Sequence, residues 1–235
     1  MPGSNLGLRA AIVSDLHNRN RSEVLKRVSA ERPDIILIPG DFFSALNPEN
    51  KHYAPTKKHP NRPGFAVLRQ FAKLAPTYYS LGNHESWVTE ENRKAILETG
   101  VVLLEDAFTE TDFGLLIGGL NSVIIPGDKR HTPPPNTAFL KKFAAQKGNK
   151  LLLSHHPEVY DRYIRPLDIP IVISGHAHAG QWMIGSQGIW APGQGLFPKY
   201  TKGIYDKRMV VSPGLANHTF VPRICNPPTL IILTL

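Results

Sequence analysis

Five short apolar runs, each followed by glycine, aspartate, asparagine or histidine within a few residues, constrain the fold of this chain more than any other feature. They are too short for helices and too apolar for exposed strands, so they predict central strands that are buried on both faces. The five runs are Leu8–Val13, Asp34–Ile38, Thr77–Ser80, Lys150–Leu153 and Ile171–Ile173. A hydrophobic content of 41% is enough for a core and excludes wholesale disorder.

Helical patterns separate several of these strands. The predicted helices are Ser22–Ala30, Phe65–Leu74, Glu90–Thr99 and Thr137–Gln146. Gly100 is placed to cap the third helix, and Pro157 is placed to begin a short helix that continues to Tyr163. This alternation of strands and helices is typical of a sheet with helices packed on it.

The middle and the end of the chain are richer in strand patterns. We expect a meander of three consecutive strands and then two short strands near the end. Their ranges are Val101–Leu104, Ala107–Thr111, Leu115–Gly118, Lys207–Ser212 and Thr229–Leu235. The whole pattern predicts an α/β fold with two face-to-face mixed β-sheets flanked by helices on both outer sides. No linker divides the chain, so we expect a single domain over residues 1–235.

The charge balance favours anionic partners. Lys and Arg number 27 against 19 for Asp and Glu, a formal net charge of +8, which favours phosphate substrates, anionic lipid headgroups or nucleic acid. Nucleic acid has the least support, because we find no platform of interleaved aromatic residues and arginines. Four basic residues lie in the proline-rich loop Ser44–Pro63, and a second proline-rich loop spans Pro126–Pro135. The four are Lys51, Lys57, Lys58 and Arg62.

No stretch reaches the roughly 20 apolar residues of a membrane span, and no secretory signal is recognisable. We therefore expect a cytoplasmic protein, with peripheral contact with an anionic membrane as an alternative. An anchor upstream of Met1–Ser4 stays open. No protein partner is predicted. The one cysteine, Cys225, excludes an intrachain disulfide and a cysteine-based zinc site.

Groups that can bind metal ions follow all five predicted strands. Each pattern alone is usually a turn or a capped strand end. In α/β folds, however, the carboxyl ends of the strands line the binding crevice, so the five together predict a site for one or two cations. In an extended segment, Asp15 and His17 would project to the same side. The other candidates are Asp41, Asn83, His84, His155, His176 and His178.

The order of these motifs resembles that of the calcineurin-like metallophosphoesterases over nearly the whole chain. The matching segments are Asp15-Leu16-His17, Gly40-Asp41, Gly82-Asn83-His84-Glu85, His155 and Gly175-His176-Ala177-His178. The segments Gly195–Tyr200, Gly203–Tyr205 and Pro222–Pro228 look like a branch with bacterial, often membrane-associated members that act on phosphodiester or lipid-linked substrates. That branch usually has Thr and Gly where this chain has Ala177 and Ala179, a difference that concerns loop shape and substrate choice.

The resemblance implies a dinuclear metal centre and a phosphohydrolase, most readily a phosphodiesterase that uses a metal-bridged hydroxide. The implied ligands are Asp15, His17 and His178 for one ion, Asn83, His155 and His176 for the second, and Asp41 as the bridge. His84 would donate a proton to the leaving oxygen. Mixed imidazole and oxygen ligands suit Mn, with Fe and Zn as alternatives.

Further residues are weaker candidates. Arg19 and His156 are candidates for binding substrate, although we also interpret His156 as a supporting or rim residue. Arg223 is open to two interpretations, contact with phosphate or a cap on the last strand. Apolar residues near the end of the chain predict either ordinary packing or a rim for an acyl chain. They are Trp182, Trp190, Leu196, Phe197 and Tyr200.

Two rival functions stay open. One is a nuclease on the same fold, for which the positive charge is the only support. The other is a non-catalytic scaffold, since relatives of such a fold can lose their metal ligands and bind proteins. All seven implied ligands and His84 are present, which argues against a scaffold. The metal content would distinguish an enzyme from a scaffold, because a scaffold would bind little metal.

Overall fold

The structure, a computed structural model, describes residues 6–19, 21–44, 62–85, 88–122, 132–217 and 221–235, with only the backbone of Arg62. Residues 45–61 of the loop Ser44–Pro63, with its three lysines, therefore lie outside the described residues. The same holds for residues 126–131 of the second proline-rich loop.

Four α-helices and fifteen strands are formed by the described residues. The helices are α1 (Arg21–Glu31), α2 (Arg62–Leu74), α3 (Glu90–Leu97) and α4 (Thr137–Ala144). The strands up to residue 174 are β1 (Arg9–Ile12), β2 (Ile35–Ile38), β3 (Thr77–Ser80), β4 (Val102–Leu104), β5 (Ala107–Glu110), β6 (Leu115–Leu120), β7 (Asn149–Ser154) and β8 (Ile171–Ser174). The remaining strands are β9 (Met183–Ile184), β10 (Gln187–Gly188), β11 (Trp190–Ala191), β12 (Gly195–Leu196), β13 (Gly203–Tyr205), β14 (Met209–Val211) and β15 (Ile231–Thr234).

Two mixed sheets form the centre of the fold. The first has the strand order β15-β1-β2-β3-β4, in which β15 alone runs antiparallel to its neighbour. The second has the order β13-β14-β8-β7-β6-β5, with parallel pairing in the middle and antiparallel strands at both edges. The predicted fold class, two face-to-face mixed sheets flanked by helices, is confirmed.

Three apolar clusters hold the layers together, and β7 shows why its sequence is continuously apolar. Leu151 and Leu153 point into the cluster between the sheets, where they meet side chains of β1 such as Ile12. Leu152 points the other way and packs with Phe143 of α4. A strand buried on both faces needs apolar residues at every position, so it lacks the usual alternation. A third cluster packs α1 and α2 on the first sheet.

The predicted meander is wrong. β4 pairs in parallel with β3 in the first sheet, whereas β5 and β6 form an antiparallel hairpin at the edge of the second. The chain changes sheets at Asp106, which has a φ of 50° and whose carboxylate accepts a hydrogen bond from the backbone N–H of Asn121 (2.8 Å). Two polar residues, Glu105 and Asp106, separate the two apolar runs. Such a pair fits a change of sheet as well as a hairpin, so the sequence pattern does not distinguish the two connections.

The predicted helix after Pro157 is a 3₁₀ turn, Pro157–Val159, followed by a π-helical turn, Tyr160–Ile164. Among the helices in the described ranges, none is long and apolar enough to cross a membrane.

Candidate metal centre

Seven side chains that follow the carboxyl ends of five strands meet at one place. These strands are β1, β2 and β3 of the first sheet and β7 and β8 of the second. The seven residues are Asp15, His17, Asp41, Asn83, His155, His176 and His178. The structure therefore brings together all the residues that the sequence predicted as metal ligands.

Asp15, His17 and His178 form the first group. His178 Nε2 lies 3.5 Å from Asp15 Oδ1 and 3.2 Å from His17 Nε2. The carboxylate of Asp15 also accepts hydrogen bonds from the hydroxyl of Ser14 and from the backbone N–H of His176 (3.1 Å). These bonds fix the carboxylate in the direction of the two imidazoles.

Asp41, Asn83, His155 and His176 form the second group. His155 Nε2 lies 3.2 Å from Asp41 Oδ2 and 3.1 Å from Asn83 Oδ1. Its other ring nitrogen, Nδ1, lies 3.0 Å from the carbonyl oxygen of Pro39 and donates to it. A proton on Nδ1 leaves the Nε2 lone pair directed at the two oxygens, which is the tautomer that a metal ligand requires.

Asp41 lies between the two groups. The same oxygen, Oδ2, is 3.9 Å from His17 Nε2 and 3.2 Å from His155 Nε2. Burial would raise the pKa of this carboxyl, but the neighbouring imidazoles of His155, His84 and His17 hold the pKa well below its usual range. Asp41 thus presents a charged oxygen to both groups.

The backbone at these positions is unusual. Asp15, His17, Asp41, His176 and His178 all have φ values between 46° and 67°, in the left-handed region that few non-glycine residues adopt. The prediction that Asp15 and His17 belong to an extended segment is therefore wrong. Such conformations cost on the order of 1–3 kcal/mol each and cluster at functional sites. Here they turn side chains from successive loops toward one point.

Two glycines leave the space that the carboxylates occupy. A Cβ added at Gly175 would lie 2.5 Å from Asp15 Oδ2, and one at Gly82 would come closer still to Asp41 Oδ1. Any side chain at either position would displace a carboxylate. Oxygen atoms of two carboxylates and an amide therefore converge with four imidazoles, a donor set that fits two divalent cations of the Mn, Fe or Zn type.

Arg223 contacts the ring of His178 from outside the cluster. Its Nη2 lies 2.9 Å from His178 Nδ1, while the guanidinium donates to the carbonyls of Pro213 (2.8 Å) and Ala216 (2.6 Å). A guanidinium only donates, so Nδ1 accepts and the ring proton lies on Nε2. Ligation through Nε2 needs the proton on Nδ1, where it would face the Nη2 donor of Arg223. The contacts with backbone carbonyls favour a structural role for Arg223 over contact with phosphate.

Glu85 is buried beneath the site, and sequence reasoning gave it no role of its own. Its carboxylate accepts backbone hydrogen bonds from Asp41 (2.8 Å), Phe43 (2.8 Å) and Gly82 (2.6 Å). It therefore ties the loop after β2 to the loop after β3. Burial and the charge of Asp41 raise the pKa of Glu85 to about 7. The one sequence feature that pointed to Glu85 was its position directly after Asn83-His84 in the motif Gly82–Glu85.

His84 lies at the open side of the site. Its backbone N–H donates to Asp41 Oδ1 (2.8 Å), and its ring Nδ1 lies 3.1 Å from the carbonyl oxygen of Ser44, to which it donates. The other ring nitrogen, Nε2, is 3.9 Å from Asp41 Oδ2, and the side chain is 18% exposed. Nε2 is therefore the ring nitrogen that faces the crevice.

The two candidates for substrate binding lie in different surroundings. Arg19 is exposed. His156 is buried, with Nε2 2.6 Å from the hydroxyl of Ser122 and Nδ1 3.1 Å from Glu158 Oε1. Both ring nitrogens of His156 are thus bonded to protein groups, which favours the supporting role over direct contact with substrate.

Comparison with known proteins agrees with this geometry. Residues 8–180 match the family described as calcineurin-like phosphoesterases. An uncharacterized metallophosphoesterase of Campylobacter jejuni, Cj0846, is 26% identical over 190 residues, which cover 77% of this chain and 46% of that protein. A Danio rerio transmembrane protein with a metallophosphoesterase domain is 24% identical over 201 residues, which cover 77% of this chain and 42% of that protein. The chain thus spans less than half the length of these two relatives.

A solved structure shares the fold at low sequence similarity. It aligns with a TM-score of 0.52 and 14% identity over 88% of this chain and 90% of its own. The family match extends over most of the chain and contains all seven converging residues as well as His84. The chain therefore belongs to the calcineurin-like phosphoesterase family.

Proposed function

We propose that this chain is a dinuclear metal-dependent phosphohydrolase whose substrate is a phosphodiester. The observation that carries the proposal is the position of Asp41 Oδ2 between two groups of ligands, 3.9 Å from His17 Nε2 and 3.2 Å from His155 Nε2. One ion would be held by Asp15, His17 and His178, and the second by Asn83, His155 and His176. Asp41 would be shared.

Bound divalent ions would supply Lewis acidity to the phosphoryl oxygens and lower the pKa of the attacking water. The chain's own residues would orient the ligands and supply the proton. The bond from His155 to the carbonyl of Pro39 holds that ring in its ligating tautomer. Since Nδ1 of His84 donates to Ser44, the proton offered to the leaving oxygen would be the second proton of the imidazolium form, at Nε2.

Removal of the metal is expected to abolish hydrolysis of bis-nitrophenyl phosphate, and Mn²⁺ is expected to restore it better than Mg²⁺. Mg²⁺ prefers oxygen ligands and keeps its waters, whereas four of the seven proposed ligands are imidazoles. Initial rates of the chelated protein, with each ion added back, measure this. Full activity in protein that elemental analysis shows to be metal-free would contradict the proposal. A scaffold would bind little metal in the same analysis.

The substrate class is tested with a panel of phosphodiesters, pyrophosphates and lipid-linked nucleotides, each assayed with Mn²⁺, Mg²⁺ and Zn²⁺. We expect the phosphodiesters to be hydrolysed fastest. Single- and double-stranded DNA belong in the same panel, because preferential cleavage of either would support the nuclease.

We also propose peripheral contact with an anionic membrane, through apolar side chains exposed near the end of the chain. Ile184, Leu196 and Phe197 are 73%, 70% and 66% exposed, and Trp182 and Trp190 are about half exposed. For Tyr200, ordinary packing is the alternative that holds, because Tyr200 is buried against Tyr160 and Tyr205.

The chain carries a formal net charge of +8, which attracts anionic lipid. Binding to anionic vesicles is therefore expected to weaken with salt, because exposed charges are screened within about 10 Å at 0.1 M. Neutral vesicles should bind less. Phe197→Ser should weaken sedimentation with anionic vesicles, whereas Leu97→Ser, at an exposed leucine of α3, should not. Absence of vesicle binding at low salt would contradict membrane contact and favour a substrate in solution.

A further inference from the structure

Glu158 is a buried carboxylate outside the proposed set of metal ligands. It lies in the 3₁₀ turn that follows His155 and His156 at the end of β7, and its side chain is only 11% exposed. A buried charge is destabilising unless other groups compensate it. The groups around Glu158 therefore indicate what it does.

Two donors and one further imidazole face the same oxygen of this carboxylate. His156 Nδ1 lies 3.1 Å from Glu158 Oε1 and donates to it, and the hydroxyl of Thr132 donates to it as well. His176 Nε2 lies 3.8 Å from this oxygen. The other oxygen, Oε2, has no hydrogen-bond partner among the described residues. Oε1 thus acts as a hydrogen-bond acceptor for two neighbouring groups while it faces the ring of His176.

The position of this carboxylate has a direct consequence for His176. An accepting oxygen opposite Nε2 favours the tautomer with its proton on Nε2, which leaves the lone pair on Nδ1. The ring is further held by its neighbours, with ring centroids 4.3 Å from His156 and 5.1 Å from His155. A carboxylate behind a histidine ligand both orients the ring and increases its basicity.

We propose that Glu158 is a positioning residue that orients His176 for ligation through Nδ1, an inference that rests on the proposed metal centre. The same three side chains could instead hold an additional cation, since His156, Glu158 and His176 offer ligand atoms within 4.8 Å of one another. We favour positioning because two protons, from His156 Nδ1 and Thr132, are already directed at Oε1.

The test is the Mn²⁺ affinity of the full chain with Glu158→Gln, which keeps the size of the side chain and removes its charge. Calorimetric titration of the metal-free protein should show two sites, with the affinity of one reduced about 10–100-fold and that of the other unchanged. Nitrogen NMR of the His176 ring should show a loss of the Nε2-protonated tautomer. A role confined to packing would leave this tautomer unchanged.

Two further variants complete the design. Glu105→Gln neutralises a carboxylate that pairs with Arg93 at 2.7 Å, away from the site, and should leave both affinities unchanged. Thr132→Val removes one donor to Glu158 and should weaken the same site to a smaller degree. It provides the measurement if Glu158→Gln does not fold.

The outcomes separate this inference from the proposed function. Unchanged Mn²⁺ affinities in Glu158→Gln and Thr132→Val would overturn the positioning role while the metal centre stands. A third equivalent of Mn²⁺ that binds the unaltered protein and is lost in Glu158→Gln would also overturn it, because Glu158 would then be a ligand. Failure of the unaltered protein to bind Mn²⁺ would overturn the metal centre and, with it, this role.

Discussion

Asp41→Asn is expected to reduce phosphodiester hydrolysis by on the order of 10³-fold or more, the largest loss for any single ligand. Asp41 Oδ2 lies within 3.9 Å of imidazoles from both groups, so the change weakens both proposed metal sites at once. Loss of several kcal/mol of charge stabilisation in the transition state corresponds to a rate loss of about this size. Since asparagine has the same shape, packing changes little.

Asp106→Asn is the matched control. Asp106 has a φ of 50° against 52° for Asp41, and its carboxylate likewise accepts a backbone hydrogen bond, but it lies at the change of sheet and not at the site. Asparagine tolerates the left-handed region, so neither variant should unfold for that reason. Metal content and initial rates are the measurements. Normal rates with two ions bound in Asp41→Asn would contradict a shared ligand.

The candidate ligands could be predicted because they follow strands that the sequence marks clearly, whereas their separation from His84 and their assignment to two ions came from the family resemblance. A continuously apolar run such as Leu151–Leu153 identifies a buried strand, and the residues just beyond it must lie at the edge of the sheet. The backbone path there could not be predicted from the period of a strand. His17 and His178 reach the site through left-handed turns that only close packing of successive loops can hold.

The supporting residues were harder to predict, because their partners are distant in sequence. Glu85 binds backbone groups 42 and 44 positions away, and Arg223 contacts a histidine 45 positions away. His155 shows the same limit. Its donation to the carbonyl of Pro39, 116 positions away, directs Nε2 at the site.

His84→Ala is expected to slow alkyl phosphodiesters far more than bis-nitrophenyl phosphate, with metal content near normal. Nitrophenolate is a weak base and leaves without a proton, whereas a glycerol or sugar alkoxide needs one. Loss of a general acid is worth about 10²–10⁴-fold where protonation is required. In the structure, Nδ1 of His84 donates to the carbonyl of Ser44, so only the imidazolium form carries a second proton, at Nε2, that can pass to the leaving oxygen.

His176→Ala is the control for His84→Ala. As a proposed ligand, His176 should affect metal occupancy, and its loss should slow both substrates alike. The ratio of the two rates in His84→Ala, at an occupancy confirmed by elemental analysis, is therefore the decisive quantity. Equal losses on both substrates at full occupancy would show that His84 does not donate the proton. Its Nε2, 3.9 Å from Asp41 Oδ2, would then act by stabilising the charge of the phosphoryl group in the transition state.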